Sequence, residues 1–106
     1  MNETIGQVLA ELKSRLSALY GERLKGVYLF GSHARNEADE ESDLDLLIVL
    51  DEVDNYSREI TRTSEVISEL SLKCEISISR FFSSEEQWRD DTTLFFVNLR
   101  EEAIST

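Results

Sequence analysis

Gly31-Ser32-His33-Ala34-Arg35 and, with ten residues between it and Ser32, Asp43-Leu44-Asp45 decide how this chain folds. The apolar runs on either side set the frame. Residues 25–30 (Lys-Gly-Val-Tyr-Leu-Phe) are aromatic and β-branched and read as a strand that enters a turn at Gly31. From Asp43 to Leu50 the chain alternates, with Leu44, Leu46, Ile48 and Leu50 on one side and Asp43, Asp45, Leu47 and Val49 on the other. A strand apolar on most of both faces belongs in the middle of a sheet. The two acids at its start then mark where one face opens into a cleft. Side chains at i and i+2 of an extended strand point the same way, so Asp43 and Asp45 project together beside the turn.

Working outward, Ile5, Val8, Leu9, Leu12, Leu16, Leu19 and Tyr20 recur by threes and fours, which predicts a helix over 3–21 with Gly21 as its stop. Residues 33–36 form only a brief helical turn, and 36–41 a polar loop. A second helix is expected over about 57–70, with Ile60, Val66, Ile67 and Leu70 as its buried stripe. Residues 72–79 alternate again and read as a third strand. Ser84 before Glu85 and Glu86 has the chemistry of a helix start, and 94–104 reads as a last helix. The order α-β-turn-β-α-β-α-α predicts an α/β (α+β) domain, a small mixed sheet with helices on one face and a polar cleft on the other. All of residues 1–106 are expected to form one domain.

Twenty-two acidic against eleven basic residues give a net charge of −11. That balance opposes direct binding to nucleic acid, where affinity comes from cations on phosphates, and suits a basic partner surface. A single cysteine, Cys74, forms no internal disulfide, which fits a reducing compartment. No basic segment followed by an apolar run opens the chain, and no stretch approaches the ~20 apolar residues of a membrane span. A cytoplasmic protein is expected.

Glycine at a strand end permits close backbone approach to a ligand. Ser32 and the amides after it offer an anion site, and Arg35, one turn on, reaches a phosphate or an acid. Asp43 and Asp45 are hard oxygen ligands of the kind Mg²⁺ takes together with substrate phosphates. Each piece alone has an ordinary reading: a turn, a solvated strand end, a surface ion pair. His33, the sole histidine, reads as lining the turn. Only the joint spacing points to nucleotide chemistry.

With Ala34-Arg35 inside it and Ser42 before the first aspartate, this pattern resembles the minimal nucleotidyltransferase family of the DNA polymerase β-like superfamily. The similarity extends over the preceding helix, the Val27–Phe30 strand and the Ser-Glu-Glu-x-Trp run ending at Trp88. It resembles in particular the antitoxins of HEPN/minimal nucleotidyltransferase pairs. The resemblance implies transfer of AMP from ATP to a tyrosine hydroxyl of a HEPN ribonuclease toxin, with the toxin as partner in a hetero-oligomer. It also implies that Gly31 and Ser32 bind the triphosphate, that Arg35 supports the loop or contacts phosphate, and that Asp43 and Asp45 hold Mg²⁺. The family needs a third carboxylate on a later strand, as metal ligand or base. Glu75 is the candidate, where relatives carry Asp, and Ser77 on the same face is the alternative. With Ser77 there, the chain would be a binding module neutralising its toxin by contact alone. A nucleotide-binding subunit acting on small molecules is a further alternative. Asn36 replaces the glycine usual after Ala-Arg.

Overall fold

The computed structural model describes residues 3–39 and 42–106. Helix α1 (Glu3–Tyr20) leads through a 3-10 turn (Gly21–Arg23) into β1 (Leu24–Phe30). After the turn at Gly31 come β2 (Leu44–Leu50), α2 (Tyr56–Cys74) and β3 (Ile78–Ser84), then α3 (Glu85–Asp90), α4 (Leu94–Glu102) and β4 (Ile104–Ser105). The sheet runs β3-β2-β1-β4. β1 is antiparallel to β2 and to β4, whereas β2 and β3 are parallel, joined by the α2 crossover. The expected mixed sheet with β2 at its centre is present.

Strand β2 is central because it is apolar on both sides, and each side meets its own core. Leu44, Leu46, Ile48 and Leu50 join Val27 and Leu29 against α1 (Ile5, Val8, Leu9, Leu12, Leu16, Tyr20) and α2 (Val66, Ile67, Leu70). Leu47 and Val49 pack on the other side with Phe96 and Leu99 of α4, flanked by Tyr28, Phe30 and Trp88. The expectation of helices on one face is thereby corrected. The second face is roofed by α4 and α3 along most of β2, and only its Asp45 end lies toward solvent.

α1 follows its periodicity except at Leu19, which is 40% exposed. Gly21 takes φ +57°, the left-handed stop expected of it. The end of α1 is tied to α2 through the Tyr20 hydroxyl, which donates to the buried Glu59 carboxylate at 2.8 Å. The Arg23 and Arg62 guanidiniums lie 5.6 and 5.8 Å from the Tyr20 ring centroid.

The third strand departs from the sequence reading. α2 runs on to Cys74, so residues 72–74 are helical and the strand occupies 78–84. The helical stripe Ile60, Thr63, Val66, Ile67 and Leu70 reaches Cys74 and outweighs the two-residue alternation, leaving Leu72 81% exposed. Glu75 is the C-cap, at φ +53°, and the amide of Ile76 donates to the Ser71 carbonyl at 3.1 Å. A non-glycine residue held left-handed carries about 1 kcal/mol of strain. Glu75→Gly is therefore expected to raise the midpoint of thermal unfolding, and a lowered midpoint would show that the cap is not strained.

Ser84 caps α3 as its sequence suggests, its hydroxyl accepting from the Gln87 amide at 3.0 Å. The last helix stops at Glu102, and the chain then adds β4 to the free edge of β1, with the Thr106 amide donating to the Val27 carbonyl at 3.0 Å. No helix among the described residues is long and apolar enough to cross a membrane.

Candidate active site

Phe30 and Asp45 are antiparallel partners, so the end of β1 and the start of β2 lie side by side. Gly31 has φ +75°, and a Cβ there would overlap the Asp45 carboxylate. The missing side chain is what lets the acid lie over the turn. The turn itself is closed by the Arg35 amide on the Gly31 carbonyl (3.1 Å), Asn36 on His33 (3.3 Å) and Glu37 on Ser32 (2.9 Å). The amides of Ser32, His33 and Ala34 head it as the first amides of a helix do. Asn36 sits at φ +59°, which explains why asparagine, the side chain most tolerant of that region, can replace glycine here.

The loop returns to β2 through Ser42. Its hydroxyl accepts from the Asp39 amide at 3.0 Å and donates to the Asp39 carboxylate at 3.2 Å. Nε2 of His33 lies 3.4 Å from the Ser42 carbonyl oxygen, so the histidine braces the turn against the segment that carries Asp43. Residues 40 and 41 of the expected loop lie outside the described residues.

Asp43 is exposed just before β2, and Asp45 is half-buried within it. Burial first, and then the Asp43 charge, push the Asp45 carboxyl above the usual carboxylate range, against the pull of His33 and Arg35. A carboxylate destabilised by a like neighbour is poised to gain from a cation. Asp43 and Asp45 beside the turn fit Mg²⁺, which takes one or two carboxylates and leaves its other positions to phosphate oxygens and water.

Gly31, Ser32, Arg35, Asp43 and Asp45 are thus assembled at one end of the sheet. Glu75 is not on the strand face where it was expected. It is exposed at the end of α2, and among the described residues no three acids or other ligating side chains gather to hold a metal. Ser77 precedes β3, and its carbonyl accepts from the Leu44 amide at 2.9 Å. The residue beside Asp45 on the parallel neighbour is Ser79, which puts a hydroxyl where a strand-borne carboxylate would stand.

A different acid reaches the turn. Glu102, the last residue of α4, accepts from the Gly31 amide at 3.1 Å through Oε2 and pairs with Arg35 through Oε1. Arg35, and then the Gly31 amide, hold the Glu102 carboxyl below its usual range. Nothing local in the sequence marks Glu102 among the acids of the tail. Gly31, Arg35 and Glu102 also line a cavity of about 310 Å³ with Phe30, Phe95, Asn98 and Leu99. Of the aromatic residues after α2, Phe82 and Phe96 are core, Trp88 packs on Tyr28 at 4.6 Å, and Phe81 and Phe95 stay exposed.

The fold that carries this strand-turn-strand is shared with solved nucleotidyltransferases. The chain belongs to the nucleotidyltransferase domain family, whose model matches residues 9–99. It is 38% identical over 73 residues to a Methanocaldococcus jannaschii protein named as a candidate protein adenylyltransferase, covering 69% of this chain and 73% of that one. The structure of a candidate minimal nucleotidyltransferase superposes with a TM-score of 0.60 at 24% identity, over 93% of this chain and 92% of that one. A toxin–antitoxin crystal structure with AMP-PNP gives a TM-score of 0.60 at 17% identity, over 89% of this chain and 68% of the other.

Proposed function

We propose that this chain is an antitoxin that transfers AMP from ATP to a hydroxyl of its cognate toxin, with Mg²⁺ as cofactor. The observation that carries the reading is the packing of Asp45 on Gly31, which sets a metal-seeking carboxylate against a phosphate-binding turn. The amides and hydroxyl at Ser32, with Arg35, bind the β- and γ-phosphates and fix the nucleotide's register. Asp43 and Asp45 would hold Mg²⁺, and the ion would supply positive charge against that developing on the transferred phosphoryl group. The acceptor oxygen attacks the α-phosphorus and gives its proton to water, the bond from that phosphorus to the bridging oxygen breaks, and pyrophosphate leaves.

The acceptor is a protein hydroxyl, in keeping with the named activity of the Methanocaldococcus jannaschii relative. By the resemblance it is a tyrosine of a HEPN ribonuclease. The −11 charge suits a toxin whose own surface is basic for RNA. Intact-mass measurement of the co-expressed toxin should show added adenylate, lost in Asp43→Asn. A toxin that stays unmodified with Mg²⁺ and ATP present would overturn the reading. Glu75→Gln should transfer AMP within about twofold of the parent, as expected of an exposed residue outside the site.

The observation favouring a second reading is Ser79 beside Asp45, where no carboxylate completes the pair from the strand. A chain of that kind would neutralise its toxin by stoichiometric binding. Neutralisation that persists in the Asp43→Asn/Asp45→Asn double variant would select it.

A further inference from the structure

Gly31 and Glu102 are 71 residues apart in sequence, yet the Glu102 carboxylate meets the turn at two points. One oxygen takes the Gly31 amide at 3.1 Å and the other pairs with the Arg35 guanidinium. Arg35 belongs to the set that the reading above gives to nucleotide phosphates, and the Gly31 amide opens the same turn. Carboxylate and phosphate oxygens are interchangeable acceptors for an amide and a guanidinium. What holds it is this specific pair of donors.

The surroundings allow the side chain to leave. Glu102 is 26% exposed on its side chain, and α4 ends there. The backbone beyond is anchored separately, with Ile104 and Ser105 paired to Leu29 and Tyr28. Rotation of the Glu102 side chain frees the turn without undoing either element.

We propose that Glu102 is an intrachain competitor for the phosphate position. It occupies the Gly31 amide and Arg35 in the nucleotide-free chain and is displaced by a nucleoside triphosphate. The proposal rests on the nucleotide-binding reading of the same turn. A site that is open for only a fraction of the time has its apparent affinity reduced by that fraction. Arg35 released from Glu102 remains available to the incoming phosphate, so the same guanidinium serves both states.

The test is calorimetric titration of Mg-ATP into the full chain and into Glu102→Ala, Glu102→Gln and Glu101→Gln. The Gly31 amide resonance is followed in parallel. Glu102→Ala should bind about tenfold more tightly, as for a turn open about a tenth of the time. Glu102→Gln, which keeps the side-chain size and guards against a folding defect, should gain in the same direction. Glu101→Gln removes an equal charge one residue away and should change nothing. The Gly31 resonance should differ between the free parent and free Glu102→Ala and converge at saturation. Equal or weaker binding by both Glu102 variants overturns the proposal, as does an equal gain from Glu101→Gln, which would mean that only net charge matters. Failure of every chain to bind Mg-ATP overturns the nucleotide reading and this proposal with it.

Discussion

Asp45→Asn is expected to abolish adenylyl transfer while making the protein more stable. In the role proposed above, the variant loses a ligand of the Mg²⁺ that would stabilise the transition state, a loss of about a thousandfold in rate. Its stability effect has the opposite sign. The folded state holds the Asp45 carboxyl above its usual value through burial and the Asp43 charge. A carboxyl raised on folding destabilises the native state wherever it is ionised, and that cost disappears as pH falls through its folded value. At pH 7 the neutral amide should therefore unfold at higher temperature than the parent. The gain should shrink in acid, as the parent's own carboxyl becomes protonated. Parallel melting curves of the two proteins from pH 7 downward isolate this term. The difference matters because the carboxyls of Asp51, Asp90, Asp91 and Glu102 are lowered on folding, and their contribution runs the other way in both proteins. A variant that is both inactive and less stable at pH 7 would mean that Asp45 is structural, contrary to the site described above. Nucleotide chemistry and folding thus make opposed demands on one side chain, the usual condition of a functional site.

The sequence makes the site legible wherever the contacts are short in sequence. The Lys25–Phe30 run, the Gly31 turn and the alternation from Asp43 are adjacent segments, and the strand periods alone put the turn at the end of one strand and the two acids at the start of the next. What periodicity cannot settle is a segment that satisfies two periods. Leu72, Cys74, Ile76 and Ile78 alternate as a strand, but Cys74 also continues the α2 stripe past Thr63, a polar residue that hides the stripe because it is buried with its hydroxyl on the Glu59 carbonyl at 2.9 Å. Displacing the strand by a few residues moved Glu75 out of the site and Ser79 into it. The roof of α4 over Leu47 and Val49 was hidden for a different reason. A β2 apolar on most of both faces says that both are covered, without saying by what. Glu102 was beyond reach altogether, since its contact with the turn depends on the packing of α4 and has no local signature.

Gly31→Ala should cost more in activity than in stability, and the reason lies in how the overlap can be relieved. The left-handed φ alone costs a non-glycine residue about 1–3 kcal/mol. The added methyl would also meet the Asp45 carboxylate, but that atom is the far end of a side chain that can rotate away, while the Asp45 Cβ stays in ordinary contact at 3.4 Å. Rotation avoids a steric penalty and takes the carboxylate off the turn. Misplacing a reacting or charge-bearing group by about 1 Å costs on the order of a hundredfold in rate. The variant should therefore fold with a melting point lowered by backbone strain, transfer AMP about a hundredfold more slowly, and need much more Mg²⁺ for half its maximal rate. In an Asp45→Ala background, where no carboxylate must move, Gly31→Ala should cost nearly the same stability as in the parent. An unchanged Mg²⁺ requirement would show that the carboxylate had not moved. A much smaller stability loss in the Asp45→Ala background would show that the overlap, and not the backbone, sets the cost.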